Sequence, residues 1–161
     1  MADLLHVSTN GERVGHVTFE GKDAQYSFDY DEAWRVRGGA FPLSPHIPFD
    51  NPVSAPGTVH RFLENLLPEG RALDVATSLY HVSKNNTYGL IRLLGKEPAG
   101  ALSFFASDGD ASAELAQPPE ALEPVRREIT SEELAERIAR RNAVPFAVWD
   151  GQVRLSVAGQ Q

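Results

Sequence analysis

Asn10-Gly11 stands between two short apolar runs, Leu4 to Val7 and Arg13 to Phe19, and constrains the fold more than any other feature of the chain. An Asn-Gly pair flanked by strand-length runs signals a tight hairpin, because both residues tolerate the positive φ that a two-residue turn imposes. Gly15, Val17 and Phe19 share one face of the second strand. A turn around Gly21 then leads to a third strand, in which Tyr26, Phe28 and Tyr30 alternate with Gln25, Ser27 and Asp29. That period of two marks a half-buried sheet. Asp29, Asp31 and Glu32 cluster just after this strand and read as a solvated turn. Residues 38–57 carry Pro42, Pro45, Pro48, Pro52 and Pro56. Proline withdraws ladder donors, so irregular or edge-strand chain draped over the sheet is expected here.

Helical spacing follows. Thr58 is placed to cap a helix with Phe62, Leu63, Leu66 and Leu67 on one stripe, stopped by Pro68-Glu69-Gly70. Ala72, Leu73, Val75, Ala76, Leu79 and Tyr80 repeat the spacing, and a short helix spans about Thr87 to Leu94 with Gly95 as its left-handed terminator. Ala101 to Ala106 reads as a returning strand. Between 107 and 125 the character changes: Asp108, Asp110, Glu114, Glu120 and Glu123 sit among Ala, Ser and Pro, which describes a solvated acidic linker and a lobe boundary. Beyond it, Thr130 and Glu133 form a capping box, Ile129 can staple onto Leu134, and Glu133–Arg137 and Glu136–Arg140 are favourable i,i+4 pairs. Val144 to Trp149, an Asp150-Gly151 turn and Gln152 to Val157 make a second hairpin. The chain stops at Ala158-Gly159-Gln160-Gln161, on a glycine turn after a strand that lacks its other neighbour, and so reads as truncated.

Composition narrows the function classes. A net charge of -7 repels phosphate backbones and anionic membranes, which disfavours bulk nucleic-acid binding while leaving room for a local basic patch. Without cysteine there are no disulfides, thiolate metal sites or cysteine nucleophiles. The start lacks a basic, apolar leader, and no apolar run approaches the ~20 residues of a membrane span. A soluble cytoplasmic protein with no membrane partner is expected.

Three segments carry a family resemblance. Phe62-Leu63-Glu64-Asn65-Leu66-Leu67-Pro68-Glu69-Gly70 resembles the "NLLPEG" helix end of the amino-terminal lobe of HipA-like serine/threonine kinase toxins. Gly100-Ala101-Leu102-Ser103-Phe104 resembles the strand that follows in that lobe. Leu155-Ser156-Val157-Ala158-Gly159-Gln160-Gln161 is similar to the family's glycine-rich phosphate loop. The likeness covers most of residues 4–106 and again 144–161. Gln160 departs from it, since that position is usually small or apolar, and the lysine that commonly follows the loop glutamine by two positions is absent.

The resemblance implies that Ser156, Val157, Ala158, Gly159 and Gln160 form part of an ATP phosphate loop. Backbone N–H groups of such a turn can converge on one phosphate, and Gly159 allows close approach. It also implies that Ser156 is a regulatory autophosphorylation site. Phosphate there adds a charge of about -1.5 to -2 and would compete with the ATP phosphates. Phosphoryl transfer further needs carboxylates on Mg²⁺, a base and a cation on the phosphates. Lys22, Lys84 and Lys96 are the only lysines, none is near the loop in sequence, and no HRD-like or DFG-like segment exists. No catalytic residue is assigned, and the chain alone is expected to be inactive, with ATP and Mg²⁺ serving the intact protein. His6, His16, His46, His60 and His81 show no metal-ligand spacing, so no metal site is assigned either. Glu64 and Glu69 lack a partner geometry for glycoside hydrolysis, and there is no G-x-S-x-G elbow. Arg137, Arg140 and Arg141, joined by Arg126 and Arg127, make a basic stripe that reads either as a salt-bridged solvated face or as a contact for an acidic partner or DNA.

The expected fold is α+β: a small antiparallel, barrel-like sheet with two or three helices over residues 1–106, the acidic linker 107–125, and the start of a kinase amino-terminal lobe over 126–161. The resemblance implies an intact kinase that phosphorylates a serine of a translation protein such as an aminoacyl-tRNA synthetase. Its expected partners are a helix-turn-helix antitoxin, a second copy of the chain, and DNA only through the antitoxin. The alternative is a stand-alone binding module that neutralises a separate kinase.

Overall fold

The computed structural model describes residues 2–21, 24–50, 55–95, 102–106, 128–141, 148–149 and 152–153. Strands β1 (Ala2–Thr9), β2 (Glu12–Glu20) and β3 (Gln25–Tyr30) form the meander read from the sequence. A short β4 (Ser103–Phe105) returns to the far side of β1, giving an antiparallel sheet ordered β3-β2-β1-β4. At the first hairpin both Asn10 (φ 48°) and Gly11 (φ 75°) adopt the left-handed backbone that a two-residue primed turn needs.

One irregularity sets the register. Val7 lies opposite Gly15 while Ser8 lies opposite Arg13, so Val14 is an extra residue in β2. Bulges bend and twist a strand. Here the extra residue is fully buried, and its carbonyl accepts from the Asp31 N–H at 2.9 Å, anchoring the start of the next element.

That element is α1 (Glu32–Arg35), one turn capped by the Asp31 carboxylate, which accepts from the Ala33 N–H at 2.9 Å. The acidic cluster read as a solvated turn therefore includes a cap, and the turn exists to deliver Trp34 to the core at 2% exposure. The Pro-rich chain beyond is irregular, as expected, apart from a Ser44–Ile47 bridge. It is nevertheless held firmly: the Tyr30 hydroxyl donates to the Ile47 carbonyl and accepts from the Leu43 N–H, and Trp34 Nε1 donates to the Phe41 carbonyl at 3.2 Å.

Helix α2 (Thr58–Glu64) starts one residue earlier than the capping argument requires. Gly57, at φ 78°, is its N-cap, and Thr58 is the first helical residue with no capping role. Leu66 and Leu67 lie past its end, in a turn closed by their N–H groups onto Leu63 and Glu64. Helix α3 (Gly70–Tyr80) therefore begins at the glycine read as a stop, and ends on His81 at φ 54°. Helix α4 (Thr87–Leu94) has the predicted bounds and is capped by Asn86, whose side chain accepts from the Gly89 N–H. Gly95 is not left-handed (φ -75°). Its glycine is required by space: a Cβ would lie 2.5 Å from the Ile91 carbonyl oxygen and 2.7 Å from Phe104 Cβ, where α4 meets β4.

A single core unites these elements. Leu5, Val7, Val17, Phe28 and Phe104 line the inner face of the sheet against Val59, Leu63, Leu90, Ile91 and Leu94 of the helices. Each such side chain, once buried, contributes about 1.5–3 kcal/mol. Farther along, α5 (Ser131–Arg140) is the capped helix read from the sequence, with Thr130 Oγ1 accepting from the Glu133 N–H at 3.2 Å. Strands β5 (Val148–Trp149) and β6 (Gln152–Val153) pair antiparallel as the second hairpin. The acidic linker 107–125 lies outside the described residues, as do the turn residues Asp150 and Gly151.

Candidate functional site

The residues assigned to the phosphate loop, Ser156, Val157, Ala158, Gly159 and Gln160, lie outside the described residues. What the structure describes of that region is the hairpin leading to it, with Val148 opposite Val153 and Trp149 opposite Gln152.

The segment Asn65 to Gly70 joins α2 to α3. Leu67 is 6% exposed and belongs to the core, whereas Gly70 turns the chain at φ 55° into α3. Its sequence is thus explained by packing and a change of direction. Glu64 and Glu69, on either side of the corner, are both exposed.

Where β3 meets α2 and α4, a polar and aromatic cluster spans the three elements. The Tyr26 hydroxyl accepts from the Tyr88 N–H at 3.1 Å, and the Tyr26 ring stacks on His60 with centroids 4.7 Å apart. His60 Nε2 lies 2.9 Å from Thr87 Oγ1 and 3.6 Å from a Glu64 carboxylate oxygen. Phe19 packs on both Tyr26 and Tyr88. Burial pushes the Tyr26 hydroxyl above its ordinary pKa, opposed by the Tyr88 N–H and reinforced by the Glu64 carboxylate. A hydroxyl, an imidazole and a carboxylate together suggest nucleophilic chemistry, but the geometry argues otherwise. Thr87 is 2% exposed, out of reach of any substrate, and Glu64 approaches the same imidazole nitrogen as Thr87 instead of orienting the ring from its far side. The cluster is a clasp. Sequence reading missed it because its members come from positions 26, 60 and 87, which no local spacing connects.

Of the basic stripe, Arg126 and Arg127 lie outside the described residues. Arg140 pairs with Glu136 at 3.5 Å, and Arg141 donates to the carbonyl of Ile138 in its own helix. These contacts fit the salt-bridged reading of that face. An open groove runs along α3, lined by Arg71, Asp74, Val75, Ser78 and Leu79, with Asp74 paired to Lys84 beside it.

Comparison with known proteins adds a family to this geometry. Residues 5–105, the span from the middle of β1 to the end of β4, match the family model of the HipA N-terminal domain. The chain belongs to that family. It is 37% identical over 150 residues to the serine/threonine-protein kinase toxin HipA of Shewanella oneidensis, an alignment that covers 92% of this chain and 31% of that protein. Its fold is similar to a solved structure of the Shewanella oneidensis toxin–antitoxin complex of HipA, HipB and operator DNA. The TM-score is 0.67 at 36% identity, covering 96% of this chain and 33% of that one. The chain thus spans about a third of the length of these relatives. Within the HipA N-terminal domain fall the four-stranded sheet, α1 to α4, the Asn65–Gly70 corner and the Tyr26–His60–Thr87 clasp. Helix α5 and the second hairpin lie beyond the matched span.

Proposed function

We propose that the chain is the amino-terminal regulatory and interaction part of a HipA-like serine/threonine kinase toxin, and that it carries no phosphoryl transfer of its own. One observation carries this reading: the likeness to the Shewanella toxin runs along nearly the whole of this chain yet covers only a third of that protein. The groups that phosphoryl transfer requires are then those of the longer protein. In the intact kinase, ATP phosphates are held under the loop Ser156–Gln160, Mg²⁺ is held by carboxylates outside this chain, and phosphorylation of Ser156 switches the loop off. Its substrate is a serine of a translation protein. A helix-turn-helix antitoxin is the partner of the folded domain, because the similar solved structure contains HipA with HipB on operator DNA. DNA is reached through that antitoxin, in keeping with the net charge of -7.

The test is co-purification of this chain with a HipB-like helix-turn-helix protein, followed by gel shift on that protein's operator DNA. Retention is expected, with the chain entering the DNA complex only when that protein is present. Failure to be retained, or a shift produced by the chain alone, overturns the partner assignment. In parallel, the intact protein should take up label from radioactive ATP at Ser156, and Ser156→Ala should abolish that label. Phosphate transfer by this chain in isolation would contradict the reading.

A further inference from the structure

At α1 and just beyond it the chain makes an exposed tip that is both apolar and cationic. From Ala33 to Phe49 there is no Asp or Glu, while Arg35, Arg37 and His46 fall there, in a chain whose net charge is -7. Val36 is 80% exposed and Phe41 44%, with Arg35, Arg37, Gly38, Gly39 and Pro42 exposed around them. No described atom lies within 4 Å of where a Cβ would stand on Gly38 or Gly39, so the tip is open to approach. A single exposed apolar residue is ordinary on a protein surface. These residues differ in being held. The buried Trp34 ring is their platform: Phe41 meets it edge-on with centroids 5.3 Å apart, and the Arg37 guanidinium lies over it at 5.4 Å. Arg37 also pairs with Glu12. The Arg37 N–H donates to the Trp34 carbonyl at 3.2 Å, and the Ala40 N–H donates to the Arg37 carbonyl at 3.3 Å. An aromatic ring and a guanidinium fixed before any partner arrives lose little freedom on docking. Arginine and large aromatic side chains are also those on which interface energy concentrates. Arg35, by contrast, has no ion-pair partner among the described residues.

We propose that the tip from Arg35 to Phe41 docks the helix-turn-helix antitoxin, receiving a segment of it that bears a carboxylate beside an apolar side chain. This rests on the reading that such a protein is the partner of the folded domain. On operator DNA that partner turns its basic face to the phosphates, which leaves its other surface for this chain. Over most of this acidic chain a carboxylate of the partner meets like charge. At the tip it meets Arg35, whose guanidinium is free to take it. Val36 and Phe41 supply the apolar contact from which water is excluded. A second copy of the chain fits the tip poorly, because a two-fold contact there sets Arg35 and Arg37 against their own counterparts.

The experiment is calorimetric titration of the chain with a HipB-like antitoxin in the absence of DNA, repeated on variants of the tip. Arg35→Glu and Val36→Glu alter exposed side chains, and each should weaken the affinity by about tenfold or more. Added salt should weaken the parent and narrow its difference from Arg35→Glu. Arg61→Glu, the same charge reversal at an exposed position of α2, should leave the affinity unchanged. Thermal unfolding that matches the parent separates lost docking from lost fold. No binding by the parent chain would overturn the partner assignment and this proposal with it. Binding by the parent that neither Arg35→Glu nor Val36→Glu weakens overturns the proposal alone. The same holds if the variants bind the antitoxin normally but weaken the gel shift of the complex, which would assign the tip to DNA phosphates. It holds equally if they alter only the sedimentation of the chain by itself, which would assign the tip to a second copy.

Discussion

Gly95 shows how much a single position can carry. The chain there is in ordinary right-handed backbone, so a larger residue would suffer no torsional strain. The obstacle is steric, with the Ile91 carbonyl oxygen 2.5 Å and Phe104 Cβ 2.7 Å from where a methyl would sit. Both obstacles are fixed: one is helix backbone, the other the stem of a side chain 1% exposed. Gly95→Ala is therefore expected to destabilise the fold by about 1–3 kcal/mol, the usual range for overpacking. Urea denaturation of the variant checks this. An effect below half a kcal/mol, roughly the scatter of neutral surface changes, would mean that α4 and β4 can separate to admit the methyl.

Among the elements, α5 illustrates what local sequence can specify. Thr130 accepts from the Glu133 N–H, and the Glu132 carboxyl is held below its ordinary pKa by its own backbone N–H and by the Thr130 hydroxyl. Thr130→Ala should cost about 1 kcal/mol, read as faster amide exchange in the first turn of the helix. Unchanged exchange there would show that the cap is not what holds that end. The same logic explains which elements were legible beforehand. The meander, α4 and α5 could be read because turn residues, caps and periodicity all lie within a few positions of one another. Helix α1 escaped because one turn is too short for a periodic signal, and only Asp31 before Trp34 announced it. Gly95 was correctly placed and wrongly explained, since its reason, Phe104, comes from another element. The cap of α2 was misassigned for a related cause: Gly57 offers no side chain to recognise, whereas Thr58 looks like a cap. The Tyr26–His60–Thr87 clasp required the tertiary register.

At the scale of the molecule, tyrosines couple the fold to alkaline pH. Burial raises the hydroxyls of Tyr26, Tyr30 and Tyr88 above the ordinary value of 10.0, with the Tyr88 N–H working against it at Tyr26 and the Leu43 N–H at Tyr30. At Tyr88 the Asp3 carboxylate adds to the rise and Arg92 opposes it. More than about a unit below pH 10 these groups are neutral whether the chain is folded or not, so they leave stability independent of pH. Above it the unfolded chain releases protons first, and stability falls as pH climbs toward the raised values. Unfolding free energy measured between pH 9 and 11 should decline beyond about pH 10, and Tyr26→Phe with Tyr30→Phe should flatten the decline. A decline of the same slope in that double variant would assign the effect elsewhere. No helix among the described residues is long and apolar enough to cross a membrane.

The position of β1 between β2 and β4 also bears on the order of events during synthesis. Its partner on one side emerges from the ribosome almost at once, whereas the other, Ser103–Phe105, follows nearly a whole domain later. Until then His6, Val7 and Ser8 present an unpaired edge, and α4 lacks the Phe104 side chain that Gly95 is shaped to receive. The nascent chain must carry that open strand past the translation of α1 to α4, and only the short strand β4 closes it. A fold whose central strand is made first and sealed last is most exposed to mispairing while it is still being born.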